Sequence, residues 1–232
     1  MVIRAIVFVI FMSLSAMNLA QDNNWTHFRG NQLDGISIAG SVPLKWSEDS
    51  GITWKTEIHG KGWSSPVVYG NQIWITTATE DGNELYAVCV DFQSGKVIYD
   101  IKVFTPSDIP GKHSLNSYAT PTPCIEKGFV YVHYGSSGTA CINTSNGSVV
   151  WTRTDLKCKH VQGPASSPVL YKNLLILHYE GTDVRFITAL DKSTGKTVWK
   201  TDRPEKPYES LTVIGRKAYV TPLIINVKGR DL

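Results

Sequence analysis

The chain has 232 residues, of which 42% are hydrophobic and 10% aromatic, and its formal net charge is +3. This composition is typical of a globular protein. It excludes the large net charge that proteins binding nucleic acids or membrane surfaces usually carry. Charge therefore indicates no nucleic-acid partner.

Residues 1–20 have the pattern of a secretory signal peptide. Arg4 precedes the apolar run from Ala5 to Phe11, and small residues come before Gln21. A transmembrane anchor is the alternative, although the apolar run is shorter than the ~20 residues that a membrane span needs. No cysteine follows the run, so no lipoprotein anchor is indicated. The pattern predicts a protein exported to the periplasm or beyond the cell, and not an integral membrane protein after cleavage.

Further along the chain, one turn pattern occurs three times. Asp or Asn opens the turn by accepting hydrogen bonds from backbone N–H groups ahead of it. Gly four residues later supplies the positive φ that reverses the chain direction. An aromatic residue follows each Gly after another four residues. The three copies are Asp91, Gly95 and Tyr99; Asn143, Gly147 and Trp151; and Asp191, Gly195 and Trp199.

A second hairpin precedes each of these turns. A proline starts a short strand, and a second apolar strand lies seven to nine residues beyond it. The two hairpins together predict four-stranded units at residues 64–104, 120–155 and 166–203. The turn glycines are 52 and 48 residues apart, which suits a propeller blade and is too long for most helical repeats. The predicted fold is an all-β propeller of four-stranded antiparallel blades.

The last stretch, residues 218–232, resembles the beginning of another blade, because Pro222 lies at the position of the earlier prolines. Residues 52–58 repeat the aromatic strand of a blade without the hairpin that should precede it. Propellers of a single chain typically have about 4–8 blades. Residues 52–232 are therefore interpreted as about three blades and two part-blades of an incomplete propeller, a fragment of a chain roughly twice as long.

The sequence Asp-x-x-Thr-Gly-Lys-x-x-Trp at residues 191–199, with Ser-Ser-Pro at 166–168, resembles the repeat of quinoprotein (pyrroloquinoline-quinone-like) propellers over residues 46–232. The family is bacterial and exported, and it is related to propellers of outer-membrane assembly factors. The resemblance implies seven or eight blades in the complete protein. It also implies that the N-terminal segment, residues 21–51 with its Trp25–Gly30 motif, is a cover strand or plug, and that residues 52–58 form a closing outer strand.

Five of the six histidines lie in loops that lead into blades or at the ends of second strands, which meet on one face of a propeller. Together with nearby polar residues they predict a site for a metal or a polar ligand. The alternative is that these groups hydrogen-bond to one another and close the channel. The candidate ligand-binding residues are His113, Asn116, His133, His160, His178, Glu180 and Asp183.

The four cysteines match no metal-binding or Cys-x-x-Cys spacing, although disulfides are permitted in an exported chain. Cys89 and Cys141 align with Ala189, where a small buried side chain suffices, so packing is the favoured role. The repeated Asp91, Asp191 and glycine positions are interpreted as turn chemistry. Trp151 and Trp199 are expected to be buried between blades.

Two functions remain open. The first is an exported scaffold that binds protein, peptide or a small polar ligand, without catalysis and without a cofactor. The second, implied by the resemblance, is part of a dehydrogenase in which pyrroloquinoline quinone lies in the channel beside Ca²⁺ bound by Glu, Asn and Asp. The absence of adjacent cysteines and of long insertions between blades argues against the second.

Overall fold

The computed structural model describes residues 24–38, 42–204, 210–212, 214–215 and 217–231, so the predicted signal peptide lies outside the described residues. Within them the fold contains three four-stranded antiparallel sheets and one two-stranded sheet. The first blade contains β1 (Val67–Tyr69), β2 (Gln72–Ala78), β3 (Leu85–Asp91) and β4 (Val97–Phe104). The second contains β5 (Cys124–Glu126), β6 (Phe129–His133), β7 (Thr139–Asn143) and β8 (Val149–Arg153). The third contains β9 (Val169–Tyr171), β10 (Leu174–Glu180), β11 (Arg185–Asp191) and β12 (Thr197–Asp202).

Strand order equals sequence order in each blade, which confirms the predicted all-β propeller fold of four-stranded antiparallel blades. A short 3-10 helix, Gly135–Ser137, joins β6 to β7. After the third blade, residues 217–225 are not assigned to a strand, and the hairpin of β13 (Asn226–Val227) and β14 (Arg230–Asp231) follows Pro222. This hairpin begins four residues after Pro222, whereas the first strand of each earlier blade begins directly after its proline, so the predicted start of a fourth blade stays a prediction.

The repeated turns have the geometry that their residues predict. Asp191 Oδ1 accepts the backbone N–H groups of Ser193 at 3.1 Å and Thr194 at 2.9 Å. Gly195 has φ +70°, a conformation that costs residues with a Cβ about 1–2 kcal/mol. Asp91 and Gly95 form the same turn in the first blade. Local chemistry therefore sets the hairpin between the third and fourth strands of each blade.

The aromatic residue of one blade lies on the turn glycine of the next. Trp151 Nε1 donates to the carbonyl oxygen of Lys192 at 2.9 Å, and its ring covers Gly195. The Tyr99 ring covers Gly147 in the same way, and its hydroxyl donates to a carbonyl of that turn. Large rings repeated at one offset therefore join the blades, as the sequence pattern predicts.

Trp54 makes the same contact with the first blade. Its Nε1 donates to the carbonyl oxygen of Phe92 at 3.0 Å, and its ring covers Gly95. Residues 52–58 are not assigned to a strand, but Trp54 places them where the aromatic strand of a preceding blade would lie. The role of residues 52–58 as a closing outer strand stays a prediction.

The expectation that Trp199 is buried between blades is wrong for the described residues. Its exposed fraction is 37%, and β12 is exposed along its whole length, whereas Trp151 is half-buried. The physical reason is that Trp151 has the turn at Gly195 to cover it, while the described residues place no turn glycine on the outer face of β12.

A second link between blades joins the residues that precede the prolines. The backbone N–H of Ser65 donates to Thr122 Oγ1 at 2.9 Å, and that of Thr122 donates to Ser167 Oγ at 3.0 Å. The backbone N–H of Ser167 then donates to Thr221 Oγ1 at 3.1 Å. Each blade start therefore binds the hydroxyl of the next, and this chain of bonds explains why Ser or Thr stands before each proline.

Two apolar cores lie along the junctions between blades. One contains Trp74, Phe104 and Tyr134, and the other contains Tyr131, Leu175 and Phe186. All four cysteines of the described residues are buried and unpaired. The predicted packing role of Cys89 and Cys141 is confirmed, because both are as fully buried as Ala189.

The N-terminal segment runs across the inner strands of all three blades. Trp25 exchanges two backbone hydrogen bonds with Val68 of β1, at 2.8 and 2.9 Å. The backbone N–H of Ile125 in β5 donates to Thr26 O at 2.9 Å, and that of Leu170 in β9 donates to His27 Nε2 at 3.2 Å. This segment therefore lies as a strap over the channel side of the blades, as a cover strand would.

Candidate functional site

Four of the predicted site residues come together at one narrow cavity. His133 stands at the end of β6, His178 and Glu180 lie in β10, and His160 belongs to the loop that leads into the third blade. The antiparallel blades bring these four positions to one face because loops into a blade and second-strand ends emerge on the same side. We call these four residues the histidine cluster.

Both His133 and His160 are held as neutral imidazoles. Burial lowers the pKa of His133 to about 3, with a further contribution from His160 nearby. Burial also lowers the pKa of His160 to about 4, assisted by Lys217. His133 Nδ1 lies 2.8 Å from Thr139 Oγ1, and His160 Nε2 accepts the backbone N–H of Ser136 at 3.2 Å. These hydrogen bonds tie the rings to the second blade.

Glu180 is buried at the centre of an ion-pair network. Its Oε1 lies 3.0 Å from His178 Nε2, and its Oε2 lies 2.9 Å from Arg203 Nη2. Neither carboxylate oxygen is aligned with a donor as a hydrogen bond requires. The contact with Arg203 is an ion pair, and the contact with His178 is one only when that imidazole is protonated. His178 Nδ1 lies 3.2 Å from the carbonyl oxygen of Val220, so the network connects the third blade to the segment before β13.

Cys158 belongs to the same neighbourhood, and sequence reasoning missed it. Its Sγ lies 3.5 Å from His160 Nε2, a spacing that suggests a thiol and base pair. Burial, however, raises the pKa of this thiol to about 11, while His160 has its own contact with Ser136. A thiol that stays protonated is a poor nucleophile, so the pair is a packing contact.

The other three predicted residues stabilise loops. Asn116 Nδ2 donates to the carbonyl oxygen of Gln162 at 2.6 Å, which joins the loops that lead into the second and third blades. Asp183 Oδ1 accepts the backbone N–H groups of Lys159 and Val184, each at 2.8 Å. His113 is exposed and accepts a nearby backbone N–H. The cluster is therefore smaller than the predicted ring of seven.

Across the described ranges, no three side chains of His, Cys, Asp and Glu stand close enough together to hold a metal ion. The histidine cluster contributes one carboxylate, and that carboxylate faces His178 and Arg203. The histidine cluster therefore connects neighbouring blades through buried polar groups.

A larger cavity, of about 370 Å³, opens beneath the N-terminal segment. We call it the channel cavity. The residues that line it are Phe28, Arg29, Leu33, Trp63, Thr120, Thr122, Ala165, Ser167, Tyr219, Val220, Thr221, Pro222 and Leu223. Sequence reasoning missed this site, although its signal was present in the hydroxyls before each proline and in the Phe28-Arg29-Gly30 motif.

The lining of the channel cavity does not match a quinone with its Ca²⁺. Calcium takes oxygen ligands, above all carboxylates, and no Asp or Glu lines the cavity among the described residues. The chain also has no adjacent cysteines to lie against a quinone ring. The residues present therefore do not form the cofactor site that the quinoprotein resemblance implies.

The stacked blades, each joined to the next by an aromatic residue on a turn glycine, define a β-propeller of the quinoprotein-like repeat class. Residues 44–221 match the family described as outer membrane protein assembly factor BamB, and the chain belongs to that family. BamB of Alkalilimnicola ehrlichii is 27% identical over 146 residues, which are 62% of this chain and 33% of the relative. The chain thus spans about a third of the length of this curated relative.

Solved structures of propellers are similar to part of the chain. A europium-containing methanol dehydrogenase matches with a TM-score of 0.49 and 14% identity, over 67% of this chain and 27% of the other. BamB from Moraxella catarrhalis matches with a TM-score of 0.44 and 15% identity, over 64% of this chain and 42% of the other. Within the described part of the chain, no helix has the length and apolar character to cross a membrane.

Proposed function

We propose that this chain is part of an exported propeller scaffold that binds a protein partner during outer-membrane assembly. The observation that carries the proposal is membership of the BamB family over residues 44–221. The predicted signal peptide supports an exported location, which for this family means the periplasm and its outer-membrane side. Blades held by repeated side-chain links provide the rigid frame that a binding scaffold needs.

One surface is suited to such a partner. The fourth strands of the blades expose aliphatic side chains at equivalent positions just after the turn glycines. This aliphatic row consists of Val97, Ile98, Val149, Val150 and Val198. Exposed apolar residues that recur on neighbouring elements favour a protein interface, and the outer strands also present unpaired backbone groups to a partner strand.

The proposal is tested by deleting the gene in its source bacterium and measuring the amounts of β-barrel proteins in the outer membrane. Deletion should lower these amounts, and the wild-type gene should restore them. A double variant, Val97→Thr with Val149→Thr, should restore them poorly, because Thr keeps the β-branched shape but weakens an apolar contact. Val184→Thr is the matched control, since Val184 is an exposed valine outside the row.

Unchanged outer-membrane protein levels after deletion would contradict the proposed role in assembly. Full complementation by the double variant would leave that role intact and remove the aliphatic row as the binding surface. We further propose that the scaffold works without a cofactor, in line with a channel cavity that no Asp or Glu of the described residues lines.

A further inference from the structure

The channel cavity has the size of a small-molecule site. Its volume of about 370 Å³ lies within the range of roughly 300–1,000 Å³ that ligand pockets occupy. The N-terminal segment bounds one side through Phe28, Arg29 and Leu33, and the starts of the blades bound the other. The cavity is separate from the aliphatic row, which lies on the outer strands.

The inner wall of the cavity offers hydrogen-bond donors. Thr122 and Ser167 are buried, and the hydroxyl oxygens of Thr122, Ser167 and Thr221 each accept a backbone N–H from the preceding blade. A hydroxyl that accepts one hydrogen bond still carries a proton to donate. No hydrogen bond donated by these three hydroxyls is found among the described residues, so each keeps a proton that an acceptor in the cavity can take.

Arg29 adds a positive charge to these donors. Its Nη2 lies 3.4 Å from the carbonyl oxygen of Asp34, and no described carboxylate lies within ion-pair distance of its guanidinium. Arg29 and Leu33 also have positive φ, at 67° and 60°, which is uncommon for residues with a side chain. Sparsely populated backbone conformations cluster at ligand sites, and here two of them line one cavity.

The rim of the cavity is aromatic and aliphatic. Phe28, Trp63, Tyr219 and Leu223 all line it and are exposed. A ligand that satisfies both parts of the site has acceptor oxygens with a negative charge at one end and an apolar body at the other. Inorganic phosphate lacks the apolar body, and a neutral molecule leaves the guanidinium without a counter-charge.

We propose that the channel cavity binds a small organic carboxylate. The carboxylate is bound by Arg29 and by the hydroxyls of Thr122, Ser167 and Thr221, and the apolar body lies against Phe28 and the rim. Arg is suited to this task because its planar fork of N–H groups matches a carboxylate. The same chemistry occurs in a free organic acid and in the carboxylate at the end of a peptide.

Calorimetric titration of the full 232-residue chain with phenylacetate tests the proposal, with phenylacetamide as the neutral match. Phenylacetate should bind at one site per chain, and phenylacetamide should bind at least about tenfold more weakly, the change expected when a charged hydrogen bond is lost. Arg29→Asn removes the charge but keeps a residue that tolerates positive φ, and it should weaken phenylacetate binding to a similar extent. Lys228→Asn is the matched control, because Lys228 is an exposed cation with φ 51° outside the cavity.

A second pair of probes, acetyl-Ala-Leu and its amide, separates the two sources of carboxylate. Carboxylate recognition is supported if at least one of the two acids binds and its matching amide does not. Which acid binds then tells which source of carboxylate fits. The amide comparison on the wild-type chain decides the matter even if Arg29→Asn fails to fold. The proposal is overturned if neither acid binds with a Kd below about 10 mM, if the amides bind as well as the acids, or if folded Arg29→Asn binds phenylacetate as the wild type does.

Discussion

The ring of Trp151 lies so close to Gly195 that a Cβ added to this glycine would be 2.8 Å from the ring. The indole N–H also donates to the carbonyl oxygen of Lys192 in the same turn. Gly195 is therefore required twice, once for its positive φ and once for the space that the ring occupies. The same relationship joins Tyr99 to Gly147, so it is the repeating joint of the propeller.

The double requirement at Gly195 predicts a larger cost than an ordinary turn glycine shows. Gly128→Ala changes a glycine with φ +88° and no atom within 4 Å of an added Cβ, so it should cost only the backbone strain of about 1–2 kcal/mol. Gly195→Ala should cost at least about 1 kcal/mol more, as overpacking does. Urea unfolding of both variants measures the difference, and equal losses would show that the ring moves aside without cost.

The two tryptophans at equivalent positions should differ in their contribution to stability. Trp151→Ala removes a ring packed on the third blade and is expected to lower the free energy of unfolding by about 3–5 kcal/mol. Trp199→Ala should lower it by less than about 1 kcal/mol in this chain, because the ring is 37% exposed and the described residues cover it with no turn. Similar losses in urea unfolding would mean that Trp199 has a partner that the described residues do not provide.

The hydroxyl before each proline should stabilise the junction between blades. Ser167→Ala leaves the backbone N–H of the buried Thr122 without its acceptor and is expected to cost about 1–3 kcal/mol. Ser167→Thr keeps the hydroxyl and is matched by Thr122 and Thr221 at the equivalent positions, so it should stay near the wild type. Chemical unfolding compares the two variants, and a loss as large for Thr as for Ala would point to packing in place of the hydrogen bond.

Acid should destabilise the fold through three histidines. Burial lowers the pKa of His27 and His160 to about 4 and that of His133 to about 3, while an unfolded chain keeps histidine near 6.5. The unfolded state therefore binds more protons between these values, so stability falls as the pH decreases from 6.5 towards 3. Below that range the folded state is protonated too and the loss levels off.

Unfolding midpoints in urea, measured from about pH 7.5 down to about pH 4, cover most of this window and check the slope. His133→Gln removes one of the buried imidazoles and should make the slope shallower than in the wild type. His113→Gln changes an exposed histidine and should leave the slope unchanged. An identical pH dependence for the His133 variant and the wild type would contradict the role of buried histidines.

Quinone binding separates the scaffold from the dehydrogenase alternative. Titration with pyrroloquinoline quinone and Ca²⁺ should show no submicromolar site and no tightening of quinone binding by Ca²⁺, because the described lining of the channel cavity offers no carboxylate for the ion. A separate titration with Zn²⁺ should likewise show no tight site, and His133→Ala with His178→Ala should change nothing. Submicromolar quinone binding would overturn the scaffold proposal, and zinc binding lost in the double variant would make the histidine cluster a metal site.

The sequence by itself was enough to predict the blades, because their signals are local. Asp191 and Gly195 belong to one turn, whose hydrogen bonds and positive φ depend on neighbouring residues alone. The offset from Gly195 to Trp199 places the ring on the returning strand for the same reason.

Only the tertiary structure decided which side chains meet across blades. Thr122 and Ser167 are 45 residues apart, and the bond between them depends on how two finished blades pack. The same holds for the histidine cluster, which gathers His133 and Glu180 but leaves His113 in solvent. The exposure of Trp199 depends on whether a following turn covers it, and the channel cavity depends on a segment that crosses three blades. Such contacts join residues distant in sequence, so no local pattern encodes them.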